Sequence, residues 1–124
     1  MAVIGVGVDV MEIERFATAL ARRPRLAERC FTEAEAAYCA AKPFPPQHFA
    51  ARFAAKEAVG KALGIGMTRW REVEVIRGRG APTIALHGRY AERGRQLGVE
   101  RIHISLTHGE QSAIAFAVVE SGTA

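Results

Sequence analysis

Residues 47–64 read QHFAARFAAKEAVGKALG, and this segment determines how the rest of the 124-residue chain can pack. Alanine is dense and no helix breaker occurs before Gly60, which predicts a helix over residues 47–63. Gly64 and Gly66 follow and terminate it. Small or apolar residues lie most of the way round this helix, so we expect the other elements to bury it.

Three elements precede this helix. Residues 2–10 are a continuous apolar run rich in β-branched side chains, which predicts a strand buried on both faces. A helix over residues 11–21 should follow. Residues 32–35, TEAE, match a capping box and predict a short helix to residue 40. The prolines of KPFPPQ, residues 42–47, then predict an extended loop.

The C-terminal half predicts two hairpins with a helix between them. Residues 72–78 and 82–86 should pair around GRGA, a helix over 88–97 should end at Gly98, and HISLTH should pair with SAIAFAVVE around Gly109. The order of elements predicts one α+β domain over residues 1–124, with an antiparallel sheet packed against the long central helix.

Composition narrows the class of partner. The 17 basic residues, mostly arginine, exceed the 13 acidic ones and give a net charge of +4. Arginine suits phosphate and carboxylate ligands, so an anionic ligand or an acidic protein is expected. No apolar run approaches the ~20 residues that span a bilayer, so no membrane partner is expected. Cys30 and Cys39 lack metal-type spacing and fit reduced packing residues in a cytoplasmic protein.

Two carboxylates stand where the pattern expects apolar side chains. Asp9, the only aspartate, interrupts the first strand, and Glu57 lies in the central helix. Taken singly, Asp9 could cap the following helix and Glu57 could form a surface pair with Lys61. Taken together, the two carboxylates suit Mg²⁺, which commonly takes one or two protein carboxylates and substrate phosphate oxygens. Lys61, one turn beyond Glu57, would then place a cation beside the same phosphates.

Other charged and aromatic residues on or near the helix do not require a metal site to explain them. Arg52 and Lys56 could bind further phosphate oxygens or form a solvated basic edge. Trp70 fits a partly buried anchor after the helix. His48, His87 and His103 have no ligand spacing, so ordinary polar or packing roles are expected.

Three blocks of the sequence resemble a known family. GVGVDVMEIERF, RFAAKEAVGKALG and HISLTHGEQSAIAFAVVE occupy residues 5–16, 52–64 and 103–120. In this order they resemble the holo-acyl-carrier-protein synthases, the small bacterial class of 4′-phosphopantetheinyl transferases. The middle block, with its F-x-x-K-E-x-x-x-K pattern, is the most specific of the three.

The resemblance implies an activity and its residues. Family members transfer the 4′-phosphopantetheine arm of coenzyme A to a serine of apo-acyl carrier protein with Mg²⁺, releasing adenosine 3′,5′-bisphosphate. The family's metal ligands fall on Asp9 and Glu57, and its catalytic positions on Glu57 and Lys61. A metal-bound water or Glu57 could remove the serine proton. The coenzyme A contacts fall on Arg52, Lys61, Gly64, Pro82, Ser105, Thr107 and His108.

The resemblance also implies partners and an assembly. Arg15, Arg22 and Arg25 would meet an acidic acyl carrier protein, although a basic face in solvent is the simpler reading of such arginines. The family is commonly a homotrimer with sites shared between subunits, and it serves fatty acid biosynthesis in the cytoplasm.

The sequence departs from the family at two positions. Family members often carry a basic pair in the loop before the central helix, where this chain has only Lys42 among prolines. In the first hairpin turn, Ala81 stands where the family often has lysine, so nucleotide binding there would rest on the backbone and Arg79.

Two rival functions remain open at this point. One is a small basic module that binds RNA or protein without catalysis. The basic and aromatic platform of RNA-binding sheets is missing, so no nucleic-acid partner is expected. The other is a Mg²⁺-dependent phosphohydrolase that uses the same two carboxylates.

Overall fold

The computed structural model describes residues 1–122. Its elements are β1 (Val3–Glu12), α1 (Ile13–Arg22), α2 (Leu26–Cys30), α3 (Glu33–Ala40), α4 (Pro45–Ala62), a 3-10 turn (Trp70–Glu72), β2 (Val73–Ile76), β3 (Thr83–Leu86), α5 (Gly88–Leu97), β4 (Val99–His108) and β5 (Ser112–Ser121). No helix among these is long and apolar enough to cross a bilayer.

The strands form two antiparallel sheets. The larger has the order β1-β5-β4, and β2 and β3 form the smaller. Helix α4 packs across the larger sheet, with one apolar cluster between the sheet and the C-terminal half of α4 and a second where the N-terminal half of α4 meets α1 and α2. The predicted α+β fold, with an antiparallel sheet on a long central helix, is confirmed.

Two glycines let β1 lie directly against α4. A Cβ at Gly5 would stand 1.8 Å from the carbonyl oxygen of Ala62, and one at Gly7 would stand 1.9 Å from that of Ala58. Any larger residue would force the strand and helix apart. The next side chain on this face of β1 is that of Asp9. The close approach of the two backbones therefore carries Asp9 towards the middle of α4.

The prediction that β1 is buried on both faces is wrong for the single chain. β1 is an edge strand, and its outward side chains Val6, Val8 and Val10 are all more than half exposed. Register places Phe116 beside Val8 and Ile114 beside Val10, and both are exposed too. We call these five residues the apolar outer face; it is the side of the sheet that α4 does not cover.

Helix boundaries differ from the predictions where prolines or packing intervene. The loop predicted over residues 42–47 is shorter, because Pro45 and Pro46 occupy the first turn of α4. Proline is well tolerated there, because the backbone N–H groups of the first turn have no acceptor within the helix. The predicted capping box is confirmed: Thr32 and Glu35 bond reciprocally at the start of α3. Helix α2 was not predicted.

Candidate active site

Asp9 and Lys61 form an exposed ion pair between β1 and α4. The Lys61 ammonium donates to Oδ1 of Asp9 at 3.1 Å and to the carbonyl oxygen of Val8 at 2.8 Å. The Lys61 side chain is 56% exposed and that of Asp9 is 19% exposed. The alternative role of Asp9 as a helix cap is wrong, because Glu12 occupies the N-cap position of α1.

Glu57 lies half-buried beside this pair. Burial raises the pKa of its carboxyl, and the nearby negative charge of Asp9 raises it further, while Lys61 opposes both. The alternative of a surface salt bridge between Glu57 and Lys61 is not realised, since Lys61 pairs with Asp9 instead. Two carboxylates that repel one another at a partly buried site are in the arrangement that a bound cation relieves.

The donor set fits Mg²⁺. No group of three or more histidine, cysteine or carboxylate side chains converges within residues 1–122, which excludes a metal cage built only of side chains there. Mg²⁺ does not need one, because it keeps waters and substrate phosphate oxygens alongside one or two carboxylates. The ammonium of Lys61 already lies against Asp9, so a cation is accommodated at this position.

A cavity of about 550 Å³ opens between β1, α1 and α4, and it is lined by Val10, which follows Asp9 in the chain, and by Phe53, one helical turn before Glu57. It is mainly apolar, and Arg15 stands on its wall next to Val10 and Met11. Arg15, Arg22 and Arg25 are exposed, and none forms an ion pair within the described part of the chain. Arg15 thus lines the same cavity as Val10, the sequence neighbour of Asp9, and Arg22 and Arg25 lie on the surface.

A second, basic cavity of about 230 Å³ lies on another side of α4. It unites three predicted residues, Arg52, Pro82 and His108. The Arg52 guanidinium stacks over the Tyr38 ring at 4.2 Å, and the Gln47 side-chain amide donates to Nε2 of His108 at 3.0 Å. Arg52 and Arg77 give this cavity positive charge, and no acidic side chain of the described residues lines it, so it suits a phosphate group.

Sequence reasoning missed three residues of the basic cavity: Tyr38, His48 and Arg77. His48 lies with its ring 6.0 Å from that of His108, an edge contact that agrees with the packing role predicted for it. Burial lowers the pKa of His48, and the charge of Arg52 lowers it further. The spacing of these residues in the sequence does not indicate a shared site, because only the packing of α3 and the first hairpin on α4 brings them together.

The turn and loop that depart from the family also border this cavity. Arg77, and not Arg79, lines it, and Arg77 also donates to the carbonyl oxygen of Gly80 at 3.1 Å. Lys42 lies over the Tyr38 ring at 4.5 Å. A basic side chain from the loop before α4 therefore does reach the edge of the cavity.

Lys56 takes neither of its two predicted roles. It is fully buried, and its ammonium donates to Glu35 at 2.8 Å and to the carbonyl oxygens of Trp70 and Val73 at 2.9 and 2.6 Å. With all three of its hydrogens bound, it has no donor left for a phosphate. The predicted partly buried anchor role of Trp70 is confirmed by its stacking on Phe53.

The predicted residues fall into two separate half-sites. Lys61 and Arg52 are nine positions apart on α4, which at 3.6 residues per turn puts them on opposite sides, about 180° apart. Ser105 and Thr107 pair with Phe116 and Ile114, so they share the apolar outer face and point away from both half-sites. Gly64 ends α4 with a φ of +73°, beyond Lys61.

Comparisons with known proteins agree on one family. The model of the 4′-phosphopantetheinyl transferase superfamily matches residues 5–117. A holo-(acyl-carrier-protein) synthase of Moorella thermoacetica is 49% identical over 118 residues, 93% of this chain and 92% of the relative. Among solved structures, the chain is similar to a Chronobacterium ammoniagenes ACPS-CoA complex, with 28% identity, a TM-score of 0.86 and coverage of 99% and 100%.

A second solved structure carries a related ligand. It is a holo-(acyl-carrier-protein) synthase from Bacillus anthracis in complex with CoA (3′,5′-ADP). It is 28% identical to this chain, with a TM-score of 0.79, and the match covers 97% of this chain and 98% of that one. Both the overall fold and nearly the full length are therefore shared.

Proposed function

Since the chain belongs to the 4′-phosphopantetheinyl transferase superfamily and is one of its holo-acyl-carrier-protein synthases, we propose that it transfers the 4′-phosphopantetheine arm of coenzyme A to a serine of an apo-acyl carrier protein in a Mg²⁺-dependent reaction. The product that leaves is adenosine 3′,5′-bisphosphate. The observation that carries the proposal is the juxtaposition of Asp9, Glu57 and Lys61 between β1 and α4.

The carboxylate half-site handles the pyrophosphate. Asp9 and Glu57 would hold Mg²⁺, which when bound supplies positive charge to the phosphate oxygens. The serine oxygen attacks the β-phosphorus, which carries the pantetheine, and the bond to the bridging oxygen breaks. Lys61 is exposed enough to leave Asp9 and donate to the oxygen on which charge develops.

The basic cavity binds the adenosine end of coenzyme A. Arg52 is 4% exposed and held against Tyr38, so its guanidinium is preorganised for an oxyanion. His108 and Arg77 add donors for the 3′-phosphate, and Pro82 offers an apolar surface for the adenine. Coenzyme A carries both a pyrophosphate and a 3′-phosphate, so one substrate accounts for both half-sites.

The carrier protein docks on α1. Arg15, Arg22 and Arg25 are exposed and free of acidic partners within residues 1–122, so they are available to an acidic helix. The apolar cavity between β1 and α1 is lined by Arg15 and by Val10, the sequence neighbour of Asp9. A serine presented by a protein bound to α1 would enter beside Asp9 and Glu57.

The site is completed by a second copy of the chain in a homotrimer. Helix α4, about 10–12 Å wide with its side chains, stands between the two half-sites of one chain. The apolar outer face groups five exposed apolar side chains on two adjacent strands, the kind of patch that marks a protein interface, and Ser105 and Thr107 lie on it. A head-to-tail ring would cover this face and bring one chain's basic cavity to its neighbour's carboxylates.

The transfer reaction is tested by mass. The protein is incubated with coenzyme A, Mg²⁺ and an apo-acyl carrier protein, and the carrier is weighed by mass spectrometry. A gain of one phosphopantetheine, abolished by EDTA, is expected. If coenzyme A is hydrolysed while the carrier stays unmodified, the protein is a phosphohydrolase and not a transferase. If neither coenzyme A nor the carrier changes, the protein is a binding module without catalysis.

The assembly is tested by light scattering after size-exclusion chromatography. Wild-type protein should have the mass of three chains, and Phe116→Asp on the apolar outer face should have that of one. The matched control is Ile76→Asp, since Ile76 is exposed to a similar extent, 42% against 46%, but lies in the small sheet. A wild-type monomer, or equal effects of both substitutions, contradicts the trimer.

A further inference from the structure

Trp70 is the only tryptophan of the chain, and two contacts fix it against α4. Its ring stacks on Phe53, with centroids 6.0 Å apart and planes 15° apart. Its carbonyl oxygen accepts a hydrogen bond from the buried ammonium of Lys56 at 2.9 Å. Both ring and backbone are therefore held by residues that come just before Glu57 on the helix.

Within residues 1–122, the buried indole nitrogen of Trp70 lacks a hydrogen-bond partner. Among the described residues, Nε1 of Trp70 is the one buried side-chain nitrogen or oxygen without a hydrogen-bond partner. Buried donors are rarely left unpaired, so each such group calls for an explanation. A tryptophan used only for packing would not need to bury its N–H away from every acceptor.

The Glu57 carboxyl lies on the same side of α4 as the Trp70 ring. Phe53 and Glu57 lie one turn apart on the same face of α4, so a ring stacked on Phe53 stands beside the Glu57 carboxyl. The indole N–H lowers the pKa of Glu57, in opposition to burial and to Asp9. The N–H therefore lies near the carboxyl without a full hydrogen bond to it.

We propose that Trp70 is a positioning residue for Glu57: its indole N–H closes onto one carboxylate oxygen when Glu57 holds the metal, and fixes the orientation of the other. The inference rests on the proposed metal role of Glu57. Hydrogen bonds to metal-binding carboxylates orient these ligands, and their loss commonly lowers metal affinity 10–100-fold. Lys56 and Phe53 keep the indole in place, so the N–H is ready before the metal arrives.

Nuclear magnetic resonance observes this contact without any turnover. Because the chain has one tryptophan, its ¹⁵N–¹H spectrum contains one indole signal. That signal should shift downfield when Mg²⁺ is added to wild-type protein, and the shift should be absent in Glu57→Ala. An indole signal that ignores both Mg²⁺ and the loss of the Glu57 carboxylate overturns the proposal.

Metal affinity provides the second test. Trp70→Phe keeps an aromatic ring for Phe53 and removes only the N–H. Binding of Mn²⁺ as a Mg²⁺ probe, followed by electron paramagnetic resonance of the free ion, should weaken about 10-fold or more in this variant. A residue that only packs would lower the urea midpoint and leave the Mn²⁺ affinity unchanged, which contradicts the proposal.

The controls separate this inference from the proposed function. If Glu57→Ala binds Mn²⁺ as wild type does, the metal assignment itself fails. If Glu57→Ala loses the metal and Trp70→Phe keeps wild-type affinity, only the role of Trp70 fails. Should Trp70→Phe not fold, the comparison of wild type with Glu57→Ala by magnetic resonance still decides the question.

Discussion

Helix α4 carries two lysines that each pair with a carboxylate from another element, and the two pairs have opposite surroundings. Lys56 and Glu35 meet at 2.8 Å with 0% and 1% of their side chains exposed, whereas Lys61 and Asp9 meet at 3.1 Å with 56% and 19% exposed. The buried pair has every hydrogen and both carboxylate oxygens bound inside the protein.

This difference separates stability from function on one helix. A buried ion pair with no spare donors cannot reach a ligand, but it joins α3, α4 and β2. The exposed pair contributes little to folding, yet its lysine can exchange a carboxylate for a phosphate. The same residue type five positions along the helix therefore has a different role because burial differs.

The largest effect is expected from breaking the buried pair. Glu35→Ala leaves the Lys56 ammonium buried without its counter-charge, which should cost about 3–5 kcal/mol of the free energy of unfolding in urea. The double variant Glu35→Leu, Lys56→Met removes both charges and should recover much of that loss. A loss below about 1 kcal/mol for Glu35→Ala would show that this pair behaves like a surface one.

Removing the exposed lysine should affect catalysis and spare stability. Lys61→Ala is expected to lower kcat for carrier modification by about 10²–10³-fold, as for loss of a donor to a developing oxyanion. Its free energy of unfolding should change by less than about 1 kcal/mol. The opposite outcome, strong destabilisation with normal kcat, would reverse the roles assigned to the two lysines.

A smaller effect tests how Glu35 is held for Lys56. Thr32 caps α3, and its backbone N–H donates to the same Glu35 oxygen that accepts from Lys56. Thr32→Ala removes the cap hydroxyl and should cost about 1 kcal/mol in a urea titration, with kcat unchanged. Thr32→Ser keeps the hydroxyl and serves as the control; equal losses in both variants would rule out the cap as the cause.

The smallest effect concerns Glu57 in metal-free protein. Its pKa is raised by burial and by Asp9, so the folded state prefers the protonated carboxyl and loses stability as pH rises through that pKa. Glu57→Gln should therefore be more stable than wild type at pH 7 in EDTA, by less than about 1 kcal/mol because the group is half-buried.

The gain for Glu57→Gln should vanish below about pH 4, where the carboxyl is protonated in both states of the wild type. Added Mg²⁺ should stabilise the wild type alone and reverse the order at pH 7. Thermal unfolding at both pH values checks the sign. A variant less stable than wild type in EDTA at pH 7 would contradict the repulsion inferred between Glu57 and Asp9.

Local sequence patterns were sufficient for most of the fold and for selecting the two carboxylates that we propose as metal ligands. The capping box at Thr32, the alanine-rich course of α4 and the two hairpins follow from residues close together in sequence. Asp9 and Glu57 were found because each is a charge in an apolar pattern. Signals of this kind need no knowledge of how distant segments pack.

What the sequence did not reveal depends on tertiary packing. The sequence around Lys56 is compatible with a surface charge, and only the packing of α3 on α4 pairs Lys56 with Glu35. Glu35 gave no signal of this pair, because the capping box already explains its position. Tyr38, His48 and Arg77 meet only in the folded chain. The apolar pattern of β1 predicts burial that the single chain does not supply, and the proposed assembly would.

Complementation between two inactive variants tests the central claim, that one active site uses opposite sides of α4 from two chains. Lys61→Ala and Arg52→Ala are each assayed alone and after joint unfolding and refolding in equal amounts. In a head-to-tail ring about one site in four then combines an intact Lys61 with an intact Arg52, so about a quarter of wild-type carrier modification should return. A mixture no more active than the two variants assayed apart would place the complete site within one chain and contradict the claim.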